Sequence, residues 1–567
     1  MLTDNALQIL NDRYLLNRNP KETPDELFRR VAKYVANAEE TNKDIWEQKF
    51  YEIMSNLAFL PNSPTLMNAG LENGQLSACF VLPVEDSLEA IFTTLKNAAL
   101  IHQSGGGTGY NFSKLRPKDD LVSSSGGTSS GPIAFMKIYD SATEYVKQGG
   151  KRRGANMGIL NISHPDIEEF IVSKSDGTSL QNFNISIGIT DSFMKAVSKD
   201  KDWKLVNPRT QKIQKVVRAS KLWNSITREA WKTGDPGLIF LDTINKNNPI
   251  PEQGRIGSTN PCGEVPLLDY ESCNLGSLNL TKIVKQEEGK VYIDWAKLDT
   301  HINVAIRFLD NVISVNHYLI PEVERISKAN RKIGLGVMGW AELLIILGIP
   351  YASQEAVELG EKLMGFIKTK SYDASITLGK ERGTFLTWKE SLHEPAEPLR
   401  NATCNSIAPT GSISVIANTS YSIEPLYALH YKRVGILENK TQIEVNIFFI
   451  EKMKQLGLWN KQVEIEVMHT GSIKGLKSIP KEIKKLFETS MEISWEYHLL
   501  HQQAFQKYTD NAVSKTINLP ETTMVKDVAD IYWAAWERQL KGITIYRNNS
   551  RAHQILQHCG LNSGNYC

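Results

Sequence analysis

Along the first sixty residues apolar positions recur at helical spacing. Thr23-Pro24-Asp25-Glu26 reads as a helix start, with a hydroxyl cap, proline at the first helical position and acids in the first turn. Leu27, Val31, Tyr34 and Val35 follow on one face. From Phe59 to Ile171 the period changes: short apolar runs alternate with glycine-rich stretches at 104–111, 123–131 and 148–156, which read as turns. Runs 78–82 and 157–162 read as buried strands and 87–103 and 132–147 as helices, an alternating α/β texture. Further helices are predicted at 296–314, 354–381, 438–458 and 480–508. Strands are predicted at 384–388, 515–519 and 543–546. From Arg547 the periodicity fades and Asn, Ser, Gln and Gly accumulate, so 547–567 reads as a mobile tail. The chain therefore divides into a helical segment 1–58, an α/β body 59–546 and that tail.

Composition narrows the function. A chain of 567 residues that is 41% hydrophobic can bury a large core, which excludes disorder. Lys and Arg number 65 against 63 Asp and Glu, so nothing favours a dedicated nucleic-acid or membrane surface. An anionic ligand must be held by local groups. Residues 1–13 lack the apolar region of a secretory leader, and no 18-residue apolar run exists. A soluble, cytoplasmic protein is expected. Six cysteines (Cys79, Cys262, Cys273, Cys404, Cys559 and Cys567) are too sparse for a disulfide scaffold. A cysteine in a reducing compartment is most often a small buried hydrophobe, so position and neighbours decide its role.

Cys262 has informative neighbours. In Ser258-Thr259-Asn260-Pro261-Cys262-Gly263-Glu264 the thiol sits between proline and glycine, which favours a turn able to present it into a cavity. A nearby glutamate disfavours a thiolate, so nucleophilic chemistry is not the natural reading. A neutral thiol beside an amide and a general base suits hydrogen-atom chemistry on a sugar, with Glu264 handling a hydroxyl proton. The bland alternative is a surface turn. Cys273 opens an apolar alternation and Cys79 heads an apparent strand; taken alone, each reads as core, and spacing cannot show that they meet.

Four strings together resemble the ribonucleotide reductase catalytic chain, in its adenosylcobalamin-dependent class II form. They are Asn260 to Glu264, Cys273-Asn274-Leu275-Gly276-Ser277, Asn62 to Gly70 and Ala408-Pro409-Thr410-Gly411-Ser412-Ile413-Ser414, in the family's order. The resemblance runs from Leu2 to Arg551. It implies a ten-stranded α/β barrel of two half-barrels, with a central finger loop carrying the radical cysteine and an N-terminal helical segment. It implies that Cys262 becomes a thiyl radical and abstracts the ribose 3′ hydrogen. Glu264 then takes the 3′-hydroxyl proton, Asn260 positions the substrate hydroxyls, and Cys79 and Cys273 reduce the 2′ position and end as a disulfide. Substrate contacts carry over to Ser63, Thr65, Ala78, Gly107, Pro261, Gly263, Pro409, Thr410, Gly411, Ser412 and Ile413. The 409–413 segment is not a Walker loop, but a glycine among hydroxyls can offer N–H groups to phosphate. A deoxynucleoside triphosphate effector is implied at Asp86, with Lys151 and Arg152 in the loop between effector and substrate. Helices 87–103 and 132–147 would support a homodimer. No ATP-binding regulatory cone is expected before the barrel.

The radical source separates the family's classes. Class I chains use an adjacent tyrosine pair; here Tyr546 is present but Ile545 occupies the neighbouring position, and isoleucine cannot carry a radical. No glycyl-radical motif is evident near the C-terminus, which leaves adenosylcobalamin. Cys559 and Cys567 would relay electrons from thioredoxin or a similar dithiol, though they stand eight positions apart. Cys404 is assigned to packing, and no metal site is expected. The alternatives are a class I large subunit with a radical-generating partner, a catalytically silent nucleotide-binding regulator, and a zinc-stabilised interaction protein built on His553, His558, Cys559 and Cys567.

Overall fold

The computed structural model describes residues 2–122, 126–148, 152–394, 397–437, 440–550 and 556–558. Its N-terminal helices form for local reasons. The Pro24–Val35 helix starts at Thr23, whose hydroxyl accepts the Glu26 N–H while the Glu26 carboxylate accepts the Thr23 N–H at 2.8 Å. Its buried face is Leu27, Phe28, Val31, Ala32 and Val35. Buried ion pairs hold this segment to the body. Glu39 accepts from Arg307 at 2.9 and 2.7 Å and from Asn311 at 2.7 Å. Asp310, fully buried one turn on, accepts from Arg331 at 2.8 Å, Arg400 at 3.3 Å and Asn401 at 3.0 Å. These cations hold the Asp310 carboxylate below its ordinary range against the opposing effect of burial.

The body is a closed barrel. Cys79–Val81, Gly107–Asn111, Asn156–Asn161, Phe183–Ile189 and Gly237–Phe240 pair in parallel, in that order. Ser272–Asn279 and Ile333–Met338 pair in parallel, as do Thr516–Leu519 and Gly542–Arg547. Parallel bridges from Leu335 to Asn405 and from Ile407 to Val513 insert the 404–407 segment between these pairs. The two five-membered halves meet antiparallel at two seams. Cys273 lies opposite Cys79 at one, and Leu238 lies opposite Ile543 at the other. The short Phe59–Pro61 strand adds to the outside of Ser272–Asn279. Because the strands are covered on both faces, their burial is continuous rather than alternating, as in Ile333–Met338 and Ser272–Asn279.

A hairpin enters this barrel. Ser258–Thr259 pairs antiparallel with Pro266–Leu267, and the 260–265 loop carries Cys262 at its turn, where Gly263 takes φ +82°. The hairpin fits because the facing strand lacks side chains. A Cβ on Gly109 would lie 1.7 Å from the Thr259 carbonyl oxygen, and one on Gly107 would lie 2.9 Å from the Pro261 ring. The 104–111 stretch, expected as a turn, is therefore largely the buried Gly107–Asn111 strand, its glycines selected for close backbone approach.

Three other expectations are corrected. Residues 480–508 hold two helices, Lys481–Leu486 and Trp495–Gln506, with a non-helical break between them. Residues 438–458 are not one helix. Lys440–Val445 pairs with His430–Leu437 in a hairpin, and only Ile447–Gln455 is helical. The 384–388 strand is absent, because Phe385 and Leu386 bond to Leu399 and Ala329 in different directions and no ladder forms. Within the segment read as tail, Leu556–His558 pairs with Tyr431 to Arg433. Among the described residues no helix is long and apolar enough to cross a membrane.

Replacing Gly109 with alanine should cost about 3 kcal/mol or more, since the added atom meets backbone that cannot yield. Gly411→Ala, with nothing within 4 Å of the new atom, should change stability by less than about 0.5 kcal/mol. Urea unfolding of the two variants decides; equal effects would contradict the finger-loop packing.

Candidate active site

The finger turn delivers its groups to one place. Cys262 is exposed into a cavity of about 470 Å³ that Pro261, Gly263 and Pro409 also line. Asn184 anchors the tip, donating to the Pro261 carbonyl at 2.8 Å. Two residues back, buried Asn260 donates to Cys79 Sγ at 3.2 Å and accepts the Val265 N–H at 3.0 Å. One side chain thus ties the finger to the barrel seam. At that seam Cys79 and Cys273 are directly opposed on antiparallel strands, and neither is in a disulfide. Opposed antiparallel Cα atoms lie about 4.5–5.5 Å apart, inside the range a disulfide needs. Burial pushes the Cys273 thiol far up from its ordinary range, so it stays protonated.

Glu264 is buried beside them. Its backbone carbonyl accepts from the Ala512 N–H at 2.8 Å and the Ser406 hydroxyl at 2.9 Å, which fixes the residue. Burial raises its carboxyl to about 7, with Asn260 opposing the shift, and its Oε2 has no hydrogen-bond partner. A buried, unsatisfied carboxyl that titrates near neutrality is suited to exchanging a proton with a ligand.

The expected phosphate residues also converge. Thr410 takes φ +58°, its hydroxyl oxygen accepts the Ser422 N–H at 2.8 Å, and its carbonyl accepts from Ser414. Ser412 precedes the short Ile413–Ala417 helix. Consecutive residues Arg13 and Tyr14 bridge this segment to the other one: Arg13 donates to Ser412 at 3.2 Å, and the Tyr14 hydroxyl meets Ser63 at 2.8 Å. Thr65 is buried and donates to the Leu76 carbonyl at 3.0 Å. Ala78 donates its N–H to the Cys273 carbonyl, beside Gly107. Sequence reasoning missed Arg13, Tyr14 and Asn184, which carry no motif.

The remaining expected residues stand apart from this cluster. Asp86 is engaged by Arg116 at 2.9 Å, and Arg152 lies in a two-residue strand pairing with Lys147–Gln148. Lys151, Cys559 and Cys567 lie outside the described residues. Tyr546 lines the cavity, flanked in sequence by buried Ile545 and by Arg547, which stacks on Trp231 at 4.2 Å. Cys404 is fully buried. Among the described residues no cluster of His, Cys, Asp and Glu could hold a metal ion.

Known proteins share this chain's sequence and fold. The family model "Ribonucleotide reductase, all-alpha domain" matches residues 1–74, and "Ribonucleotide reductase, barrel domain" matches 77–398 and 393–546. The chain belongs to the ribonucleotide reductase family. A vitamin B12-dependent ribonucleoside-diphosphate reductase of Thermoplasma acidophilum is 53% identical over 90% of this chain, which spans 66% of that protein. One from Mycobacterium tuberculosis is 48% identical over 97% of the chain and 80% of its own length. Among solved structures, the Actinobacillus ureae class Id ribonucleotide reductase alpha subunit superposes with a TM-score of 0.81 at 26% identity, covering 97% of each chain.

The Glu264 environment has a measurable consequence in this family member. The unfolded chain ionises Glu264 near its ordinary 4.5, the folded chain only near about 7. Between those values the folded state holds the extra proton, so this residue's contribution to stability falls as pH rises through the window. Above 7 the full cost, about 3 kcal/mol, is present. Glu264→Gln should therefore melt at a higher temperature than the parent at pH 8 and at about the same temperature at pH 4.5. An equal gain at both pH values would contradict the buried-carboxyl account.

Proposed function

We propose that the chain is an adenosylcobalamin-dependent ribonucleotide reductase that converts ribonucleoside diphosphates to 2′-deoxyribonucleotides. The observation that carries this reading is the convergence of three cysteines: Cys79 opposite Cys273 at a barrel seam, joined through Asn260 to the turn that presents Cys262. The cofactor and the diphosphate substrate are those named for the relatives at about half identity.

The cavity suits the cofactor's nucleoside arm. It extends from Cys262 past the ends of Gly237–Phe240 and Gly542–Arg547, and its size is that of an ordinary small-molecule site. Its wall carries an orphaned acceptor. Gln502 is 1% exposed and donates Nε2 to the Gly542 carbonyl at 3.0 Å, leaving Oε1 without a partner. A carbonyl can only accept, so the amide orientation is fixed. Lys515 lines the same wall, held by Glu424 at 2.5 Å and His498 at 3.1 Å. Gln502, Lys515 and Asn518 would hold the group. When bound, adenosylcobalamin supplies the radical that removes the hydrogen atom from Cys262.

The chain's residues then account for the chemistry. The Cys262 thiyl takes the substrate 3′ hydrogen and Glu264 accepts the 3′-hydroxyl proton. The 2′ hydroxyl leaves as water with a proton from the Cys79–Cys273 pair. The two thiols supply two electrons and two protons in all, end as a disulfide, and the 3′ hydrogen returns from Cys262. Ser63, Thr65 and the 409–413 segment hold the phosphates, with Ala78, Gly107, Pro261 and Gly263 around the sugar. A thioredoxin-like dithiol re-reduces the pair through Cys559 and Cys567. Asp86, Lys151 and Arg152 receive a deoxynucleoside triphosphate effector. A homodimer forms on helices Leu88–Gln103 and Gly131–Tyr145, where Leu88 (65%), Phe92 (49%) and Tyr145 (84%) are exposed. A site that needs three reduced cysteines belongs in a reducing compartment, the cytoplasm.

Purified chain with dithiothreitol should reduce CDP only when adenosylcobalamin is added, and Cys262→Ser should abolish product. Turnover that instead demands a second protein would point to the class I reading. Below pH 7, kcat/KM should fall about tenfold per unit as Glu264 takes up its proton. Gln502→Leu should weaken 5′-deoxyadenosine binding about tenfold by calorimetry, the loss of one buried hydrogen bond; unchanged affinity would remove Gln502 from the cofactor site.

A further inference from the structure

A second cavity, of about 440 Å³, shares Lys541 with the catalytic cavity but contains none of the catalytic groups. Five cations converge on it from separate elements. Lys246 ends the Leu241–Lys246 helix, Lys507 follows Trp495–Gln506, and Arg538 follows Val525–Glu537. Lys368 projects from Gln354–Arg382, and Lys541 precedes Gly542–Arg547. One carboxylate, Asp510, faces them. It is fully committed, accepting from the Cys404 N–H at 2.8 Å, the Asn405 N–H at 3.2 Å, the Tyr372 hydroxyl at 3.0 Å and Lys368 at 3.1 Å. Lys507 pairs with Glu361, but Arg538 has a buried Nε with no partner and reaches only the neutral Gln503, at 3.3 Å.

Helix ends explain part of this pattern, because a cation at a C-terminus offsets the macrodipole there. They do not explain the convergence. Three C-termini contribute about −0.5 charge each, and with Asp510 and the Glu361 that pairs Lys507 they still fall short of the five cations. The chain as a whole carries only +2, so the excess is local. Lys541 is the most constrained member. It is buried, its Nζ donates to the Asp510 and Asn511 carbonyls at 2.5 Å each, and burial together with Lys368 brings it down to about 7.

We propose that this cavity binds an oligophosphate, either free or as the tail of a nucleotide, at a site separate from the substrate and effector positions. Tyr372 and His393, packed edge to face at 5.9 Å, give its wall an aromatic stretch beside the cations. An entering oligophosphate completes the partners of Arg538 and drives Lys541 to its charged form. Lys541 adjoins Gly542, the residue whose carbonyl seats Gln502 in the catalytic cavity, so occupancy of the two cavities is linked through one backbone position.

The test is calorimetric titration of the full chain, first saturated with CDP and dTTP so that substrate and effector positions are filled. Tripolyphosphate should bind once per chain, at least tenfold more weakly in Arg538→Gln and in Lys246→Gln, two variants outside the core whose folding is checked by thermal unfolding. Heats measured near pH 7 should change with the ionisation enthalpy of the buffer, reporting the proton taken up by Lys541. ATP binding tenfold tighter than tripolyphosphate assigns the site to a nucleotide; equal or weaker binding assigns it to free oligophosphate. Absence of binding to the saturated chain, or affinity unchanged in both variants, overturns the proposal.

Discussion

A thiol has to stand at the centre of a closed barrel, and the close backbone contact between the finger hairpin and the Gly107–Asn111 strand makes this possible. Barrel interiors are ordinarily filled by side chains. Here the filling is a loop, and the facing strand gives up its Cβ atoms at 107 and 109 to admit it. The other placements depend on that contact. Once Thr259 lies against Gly109, Asn260 falls beside Cys79, Cys262 faces the cavity and Glu264 is sealed between Ser406 and Ala512.

The polar groups that support this arrangement are buried and paired. Glu39 joins the N-terminal helices to the barrel through bonds from Arg307 and Asn311, Asp310 beside them gathers Arg331 and Arg400 within the body, and Arg13 and Tyr14 of the N-terminal segment touch Ser412 and Ser63. The all-helical segment therefore braces Ser63 and Ser412. Removing one member of such a network leaves an uncompensated buried charge, a larger effect than the net worth of the pairs themselves.

The chemistry was more legible in the sequence than the geometry. Proline and glycine around Cys262 announced a turn, and the strings at 62–70, 260–264, 273–277 and 408–414 carried the family resemblance. That Cys79 and Cys273 are opposed could not be read, because the pairing joins strands almost two hundred residues apart. The 104–111 glycines were read for their turn propensity, when their function is close approach; a single sequence gives both uses the same appearance. The Lys440–Val445 strand was masked by an apolar run that continues into a genuine helix at Ile447–Gln455. Buried lysines 515 and 541 sit next to strands rich in β-branched residues, a signal that propensity reasoning treats as noise although each is fixed by partners distant in sequence.

The seam also constrains how the barrel experiences its own turnover. Two cysteines facing each other on neighbouring antiparallel strands are already within bonding reach. Passing between dithiol and disulfide therefore asks for side-chain rotation and no sliding of one half-barrel against the other. In the proposed reaction the redox cycle leaves the backbone pairing of the seam in place, so it supplies no stroke by which to broadcast whether the pair is spent. Whatever re-reduces it must come and inspect the seam directly, and any long-range control of this fold has to enter by another route.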